Sequence, residues 1–193
     1  MRHPFYEKKI ASELTLFPKE LCIMLTGAEA ENSPEKISDV VNWTAAFPQI
    51  ERLIFHISTS HPESISIPAR NLKGTVRFVS ENSDTVSGSG KPEVIIAIGK
   101  SGRQEICDAI VSLAEEKTAP ENVSEKVIED KLKFQVSPDY VIKTGGSHLT
   151  DFLIWQSVYS ELFFTDVNWN HFRRVDFLRA LRDFQTRSRR FGK

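Results

Sequence analysis

The sequence predicts an α/β protein: an open six-stranded, mainly parallel sheet with helices on both faces, in a single domain over residues 1–193. Three observations predict it. Short apolar runs alternate with amphipathic stretches, the order expected when each strand is followed by a crossover helix. Several of the runs are almost continuously apolar, which suits strands covered on both faces. The 193 residues, 40% hydrophobic and 26% charged, also suffice to bury one full core at an ordinary soluble composition.

The predicted strands are Leu21–Thr26, Arg52–Ser58, Thr75–Val79, Glu93–Ile98, Tyr140–Lys143 and Leu162–Thr165. Between them, Ser33 and Pro34 supply a cap and a first-turn proline, and Ile37, Val40, Val41 and Thr44 recur at helical spacing. Gly102 precedes a helix whose stripe is Ile106, Ala109, Ile110 and Leu113. Asn122 with Glu125 has the spacing of a capping box that opens a third helix. The last helix starts near Val175, with Phe177, Leu181 and Phe184 on one face and arginines on the other. Ser80–Pro92, rich in Ser, Gly and Asp, reads as a mobile surface loop, and the polar stretch His61–Lys73 shows no helical stripe.

A net charge of -1 gives no global field toward nucleic acid or an anionic membrane, although a local basic cluster ends the sequence. Cys22 and Cys107 lie in apolar segments and read as reduced core residues of a cytosolic protein, without a disulfide framework. Apolar runs of about five or six residues fall far short of the roughly 20 that span a bilayer, and no signal peptide is evident. The expectation is a cytoplasmic protein whose membrane contact, if any, is peripheral or made through a partner.

The segment PDYVIKTGGSHLTDFLIWQSVYSELFFTDVNWNHF, Pro138 to Phe172, resembles the signature region of the cis-prenyltransferases, the undecaprenyl and dehydrodolichyl diphosphate synthases. IAIGKSGRQEICDAI, Ile96 to Ile110, is similar to that family's strand-to-helix GGRxEI segment. FYEKKI and FPKELCIMLTG fall where its first helix and first strand belong. The resemblance implies the cis-prenyltransferase fold. It also implies that family's chemistry: Mg²⁺-assisted ionisation of an allylic diphosphate, then attack by the double bond of isopentenyl diphosphate.

The departures bear on function. In catalytic members the first strand ends in an M-D-G-N-G/R-R loop whose aspartate anchors Mg²⁺ and the allylic diphosphate. Here the same place reads Met24-Leu25-Thr26-Gly27-Ala28-Glu29. A hard cation needs oxygen ligands, which leucine lacks, and a glutamate facing a diphosphate repels it. The isopentenyl diphosphate clamp is reduced to Lys143 and to His148-Leu149-Thr150, and lysine lacks the bidentate fork of arginine. Lys143, Thr150 and Glu161 are therefore residual anion-site candidates. The FSxEN pattern becomes His56-Ile57-Ser58-Thr59-Ser60, and only His61–Lys73 stands where the product-tunnel helices belong, so the tunnel is expected to be reduced.

The sequence ends Arg189-Arg190-Phe191-Gly192-Lys193. These cations suit a helix C-terminus. The resemblance implies more, because partner subunits of the Nogo-B-receptor type also lack the aspartate and use an Arg-x-Gly motif across the subunit interface. On that reading Arg190, Phe191 and Gly192 bind substrate in trans, and the chain is the non-catalytic subunit of a heteromer. A homologous catalytic subunit would hold most of the Mg²⁺ contacts and share the isopentenyl diphosphate site. The product would be a long-chain polyprenyl diphosphate, precursor of a dolichol-type glycosyl carrier lipid. Two alternatives stand beside it: a homodimeric prenyltransferase using Glu29, Glu31 or Glu161 for metal, and a catalytically dead module that binds lipid or a partner.

Trp155, Tyr159, Phe163, Phe164 and Trp169 are an aromatic concentration that reads as core or as interface. The resemblance places the dimer interface in this segment and the last helix, which adds Phe177 and Phe184. Glu161 reads as structural or interfacial once its metal partner is lost. His56 and His148 have no second ligand at suitable spacing and read as surface or interface residues. Gly99-Lys100-Ser101-Gly102 lacks P-loop spacing and reads as a turn.

Overall fold

The computed structural model describes residues 4–65, 67, 72–81, 83–99, 101–146 and 153–187. Helix α1 (Pro4–Glu13) leads into strand β1 (Glu20–Thr26), followed by α2 (Gly27–Asn32), α3 (Glu35–Thr44) and β2 (Arg52–Ser58). Then come β3 (Gly74–Ser80), β4 (Ser83–Ser89), β5 (Glu93–Gly99), α4 (Gly102–Glu115), α5 (Glu125–Lys131), β6 (Tyr140–Lys143), β7 (Glu161–Phe164) and α6 (Arg174–Thr186). The sheet has seven strands in the order β4-β3-β5-β2-β1-β6-β7, parallel except for the antiparallel β3–β4 pair.

The seventh strand corrects the six-stranded expectation. β4 occupies the stretch read as a mobile loop, and it is exposed along its whole length. Pairing with β3 from Gly74↔Ser89 to Ser80↔Ser83 holds it, with Arg77 forked onto Asp84 at 2.9 and 2.6 Å. Main-chain pairing needs no apolar alternation, so the sequence carried no strand signal there.

Alternation along the buried strands builds two cores. Leu21, Ile23 and Leu25 of β1, Leu53, Phe55 and Ile57 of β2, and Tyr140 and Ile142 of β6 share one core with α1, α3 and α6. Cys22, Met24, Ile54, Ile95, Ala97 and Val141 face the other way, against Phe134 and Leu153. The strand starts are tied by Arg52, which bridges Glu20 at 2.6 Å and Glu93 at 3.0 Å across three neighbouring strands. Asp139 accepts the N–H groups of Lys19 at 2.7 Å and Glu20 at 2.9 Å, fixing the entry of β1 beside β6.

The helices follow their stripes with local corrections. α3 buries Ile37, Val40, Val41 and Thr44 as expected, but Ser33 closes α2 instead of capping α3. α4 buries Glu105, Ala109 and Leu113, while Ile110 is exposed, because the inward face lies one position earlier than its apolar residues suggest. Cys22 is buried but Cys107, on the outer face of α4, is exposed. α5 is capped by Ser124, whose hydroxyl oxygen accepts the Val127 N–H at 3.4 Å, and Asn122 lies in the preceding 3-10 turn.

Phe177 and Phe184 of α6, expected at an interface, are core residues. Phe177 packs 6.0 Å from the Trp43 ring and Phe184 5.1 Å from Tyr140, centroid to centroid. His56, expected at the surface or an interface, is fully buried in the middle of β2, edge-on to Phe134. Between β2 and β3 the described residues form one 3-10 turn, Pro62–Ser64, and Ile65, Ile67 and Leu72 lie against the first core. Among the described residues, no helix is long and apolar enough to cross a membrane.

Candidate functional site

From β1 the chain moves to β2 on one side, and later it reaches β6 on the other. Strand order thus reverses at β1, and the crevice beyond the C-terminal ends of β1 and β6 is where open α/β sheets take ligands. Thr26 ends β1 there, and Lys143 ends β6 with Thr144 next after it.

Gly27 lets the chain turn tightly out of β1, since a Cβ on it would lie 2.9 Å from Thr59. Two residues on, Glu29 folds back in a capping box: its Oε2 accepts the Thr26 N–H at 2.8 Å and the Thr26 hydroxyl at 3.0 Å. Lys143 is 8% exposed; its ammonium donates to the Thr144 carbonyl at 2.9 Å and lies 3.6 Å from Glu29 Oε2. The Thr144 hydroxyl donates to Glu29 Oε1 at 3.4 Å. Gly145, at φ +75°, brings the next turn close; a Cβ on it would sit 3.4 Å from Glu29 Oε1 and from Asn168 Oδ1. One main-chain N–H, two hydroxyls and an ammonium therefore converge on a single carboxylate. A cleft of about 240 Å³ adjoins it, lined by Glu29, Asn32, Asn168 and Asn170 among others.

Leu25, at the place the resemblance gives to a metal-anchoring aspartate, points into the first core. Among the described residues, no group of three or more His, Cys, Asp or Glu side chains is placed to hold a metal ion. Glu31 is engaged by the Ser64 hydroxyl.

Glu161 is not part of this crevice. It starts β7 opposite Tyr140, while Lys143 pairs with Phe164 at the far end of the same strands. Its carboxylate meets Arg187 Nη1 at 3.2 Å, and Arg187 also grips Asp183 and lies over the Tyr140 ring. The Tyr140 hydroxyl donates to Asp183 at 2.9 Å; burial, then that carboxylate, pushes the phenol's pKa up. Arg187 is the last described residue, so Arg190, Phe191 and Gly192 lie outside the described residues, as do Thr150 and His148.

Of the aromatic candidates, Trp155 is half-buried, Phe163 packs against the first core, and Tyr159 and Phe164 are exposed. Ile154 and Val158 are exposed beside them. A groove of about 660 Å³ runs along this turn, lined by Leu132, Phe134, Trp155, Val158 and Tyr159, with Glu125 and Glu129 among its polar residues.

Glu105 went unnoticed in the sequence. It is buried at the start of α4, where it accepts the Phe134 N–H at 2.6 Å and the Gln156 amide at 2.9 Å. Burial raises its pKa, and the two hydrogen bonds oppose the rise. The signal was its place one turn before Ala109 and two before Leu113, on the inward stripe. Several residues of the Pro138–Phe172 segment serve the fold in the same way. Gln156 also donates to the Phe134 carbonyl at 3.0 Å, Ser160 to the Pro138 carbonyl at 2.5 Å, and the Trp169 indole to the Ser33 carbonyl at 3.2 Å.

The fold and its crevice define a doubly wound α/β protein with a ligand-type site at the switch point. The family model described as "Putative undecaprenyl diphosphate synthase" matches residues 69–192. Isoprenyl transferase 1 of Corynebacterium diphtheriae is 30% identical over 249 aligned positions, covering 99% of this chain and 94% of that protein. The tritrans,polycis-undecaprenyl-diphosphate synthase (geranylgeranyl-diphosphate specific) of Methanocaldococcus jannaschii is 41% identical over 138, covering 67% of this chain and 48% of that protein. The chain thus spans about half the length of some curated relatives that it matches. The crystal structure of lavandulyl diphosphate synthase from Lavandula x intermedia, in complex with dimethylallyl diphosphate, shares the fold, with a TM-score of 0.66 and 17% identity over 92% of this chain and 99% of that one. The chain belongs to the prenyltransferase family that this model and these relatives define.

Proposed function

We propose that this chain is the non-catalytic subunit of a heteromeric cis-prenyltransferase that makes a long-chain polyprenyl diphosphate from isopentenyl diphosphate and an allylic diphosphate. One observation carries the reading: the place of the catalytic loop is occupied by Leu25, buried in the core, and by Glu29, whose carboxylate sits on Lys143, Thr144 and Thr26. A diphosphate entering there meets a negative charge already holding the donors. Two further points support it. The alignment with the Corynebacterium diphtheriae relative runs over 249 positions, more than the 193 residues of this chain, so that relative carries residues without a counterpart here. The His61–Lys73 stretch, which stands for the product-tunnel helices, holds a single 3-10 turn among its described residues.

On this reading a homologous catalytic subunit supplies the aspartate, the Mg²⁺ contacts and the tunnel. This chain supplies Arg190, Phe191 and Gly192 to the shared isopentenyl diphosphate site and stabilises its partner. Contact with the membrane is peripheral, through the partner's lipid product. The curated relatives are named as enzymes, which favours a second reading in which this chain is active by itself. That reading needs a metal site, and Glu29, Glu31 and Glu161 are each engaged elsewhere, Glu161 at the opposite end of the strands.

The test is incorporation of isopentenyl diphosphate with Mg²⁺ and farnesyl or geranylgeranyl diphosphate. It compares this chain alone, a catalytic homologue alone, and the two together. Activity in the mixture alone, lost on Arg190→Ala in this chain, is the expected result. Turnover by this chain alone would overturn the reading.

A further inference from the structure

We propose that the groove between α5 and the turn at 154–159 is the docking site of this chain's own residues 188–193, with Phe191 as the apolar anchor and Arg189 and Arg190 set on the carboxylates of Glu125 and Glu129. The docking is a property of this chain by itself. Its consequence for catalysis, that Arg190 is withheld until a partner takes the groove, rests on the accessory-subunit reading.

The groove, about 660 Å³, has walls of different chemistry. Glu125, Glu129 and, at the cap, Leu132 follow helical spacing, so one face of α5 lines it. The two carboxylates are exposed one turn apart, a like-charge spacing that disfavours the helix. The lysines of α5 are committed elsewhere, Lys126 to Asp130 at 3.1 Å and Lys131 to Glu116. Across the groove, Trp155, Val158 and Tyr159 present an apolar wall. On its floor, Val136 and Ser137 make no main-chain hydrogen bond among the described residues. Cations, an aromatic ring and an extended main chain together answer all three walls.

The chain leaves the described fold beside this groove. Arg187, the last described residue, donates to Glu161 at 3.2 Å. Glu161 starts β7 two residues after Tyr159 and opposite Tyr140, and Pro138 of the groove lies two residues before Tyr140. Residues 188–193 read Ser-Arg-Arg-Phe-Gly-Lys. At about 3.3 Å per extended residue they reach roughly 20 Å, enough to run along the groove. Guanidinium groups also suit an aromatic wall, since they stack on Trp and Tyr faces. A second copy's tail has the same chemistry, but the chain's own tail begins at the groove and is present at far higher effective concentration.

Two measurements on the full chain test this. In the first, Cys107→Ser removes the exposed thiol, and Val158→Cys with Gly192→Cys puts one thiol on the groove wall and one beside Phe191. Mild oxidation should close an intramolecular disulfide at a rate independent of protein concentration. The control pair Ser87→Cys with Gly192→Cys, whose first thiol lies on β4 at the other edge of the sheet, should close far more slowly. Adding Glu125→Gln with Glu129→Gln should slow the Val158 pair about three- to tenfold, the range for two exposed ion pairs, and raised salt should act alike. Phe191→Ser should slow it at least as much. In the second measurement, trypsin cleavage after Arg189 and Arg190, read by mass, should run faster in the Glu125→Gln, Glu129→Gln variant than in wild type by a similar factor. Closure no faster than the Ser87 pair, disulfides between chains, closure indifferent to Glu125, Glu129 and Phe191, or unchanged cleavage would each overturn the proposal. No partner or prenyl substrate is present in either measurement, so failure here and failure of the proposed function are told apart.

Discussion

Glu105 shows how a single buried carboxylate can set a pH dependence. Burial raises its pKa above the usual 4.5, and the Phe134 and Gln156 donors only partly offset that. A raised folded-state value means the neutral carboxyl is the form the fold prefers. Its stabilisation is complete below the ordinary glutamate value and is lost as pH rises through the folded value. Glu105→Gln removes this titration. It also leaves one of two donors without its acceptor, a loss of about 1–3 kcal/mol. Urea unfolding across the acidic to neutral range should therefore show the wild type's advantage over Glu105→Gln narrowing as pH rises; a constant gap would refute the assignment. The cysteines give a second residue-scale prediction. Burial pushes the Cys22 thiol up to about 12, whereas Cys107 is exposed. A disulfide reagent should label Cys107 in the native protein and Cys22 only after unfolding. Rapid native labelling of both would show that β1 opens.

At the scale of elements, α6 separates packing from interface. Phe177 is fully buried between α3 and the sheet, so Phe177→Ala should cost this chain by itself about 3–5 kcal/mol in urea unfolding. An interfacial Phe177 would leave the isolated chain unchanged. The same contrast explains what the sequence made legible. β1, β2, β5 and β6 are buried on both faces, and their apolar runs marked them within a residue or two. β4 exposes every residue and is held by main-chain pairing, so nothing in SDTVSGS announced it. α4 placed a charged residue on its inward stripe and left Ile110 outside, which defeats any reading by hydropathy. The crevice was half legible. Lys143 was visible at a strand end, and Thr26-x-x-Glu29 already has capping-box spacing. That the same carboxylate reaches Lys143 and Thr144 depends on β6 pairing beside β1, a long-range fact absent from local pattern.

For the whole molecule, the two ends of the sheet have different roles. The C-terminal end is closed by Glu29 on Lys143. At the other end, Arg187 ties the close of α6 to Glu161 and Tyr140, next in sequence to the turn that exposes Ile154, Val158 and Tyr159. If the chain serves a catalytic partner, its contribution must pass through a surface, and this turn groups three of the uncovered apolar side chains beside Phe164, whereas Phe5, Leu16, Val86, Ile110 and Val111 are exposed on other elements. Aromatic and aliphatic anchors of this kind dominate association energies when buried at an interface. Val158 is 68% exposed and Tyr159 64%, so charging either one removes little from this chain's own packing. Val158→Glu and Tyr159→Glu should therefore weaken association with the catalytic subunit about tenfold or more while leaving this chain's unfolding midpoint unchanged, as read by sedimentation of the mixture and urea unfolding of the single chain. Unaltered association in both variants would move the interface elsewhere. A lowered midpoint would instead place the turn in the fold, as the hydrogen bonds of Gln156 and Ser160 already place its inner side.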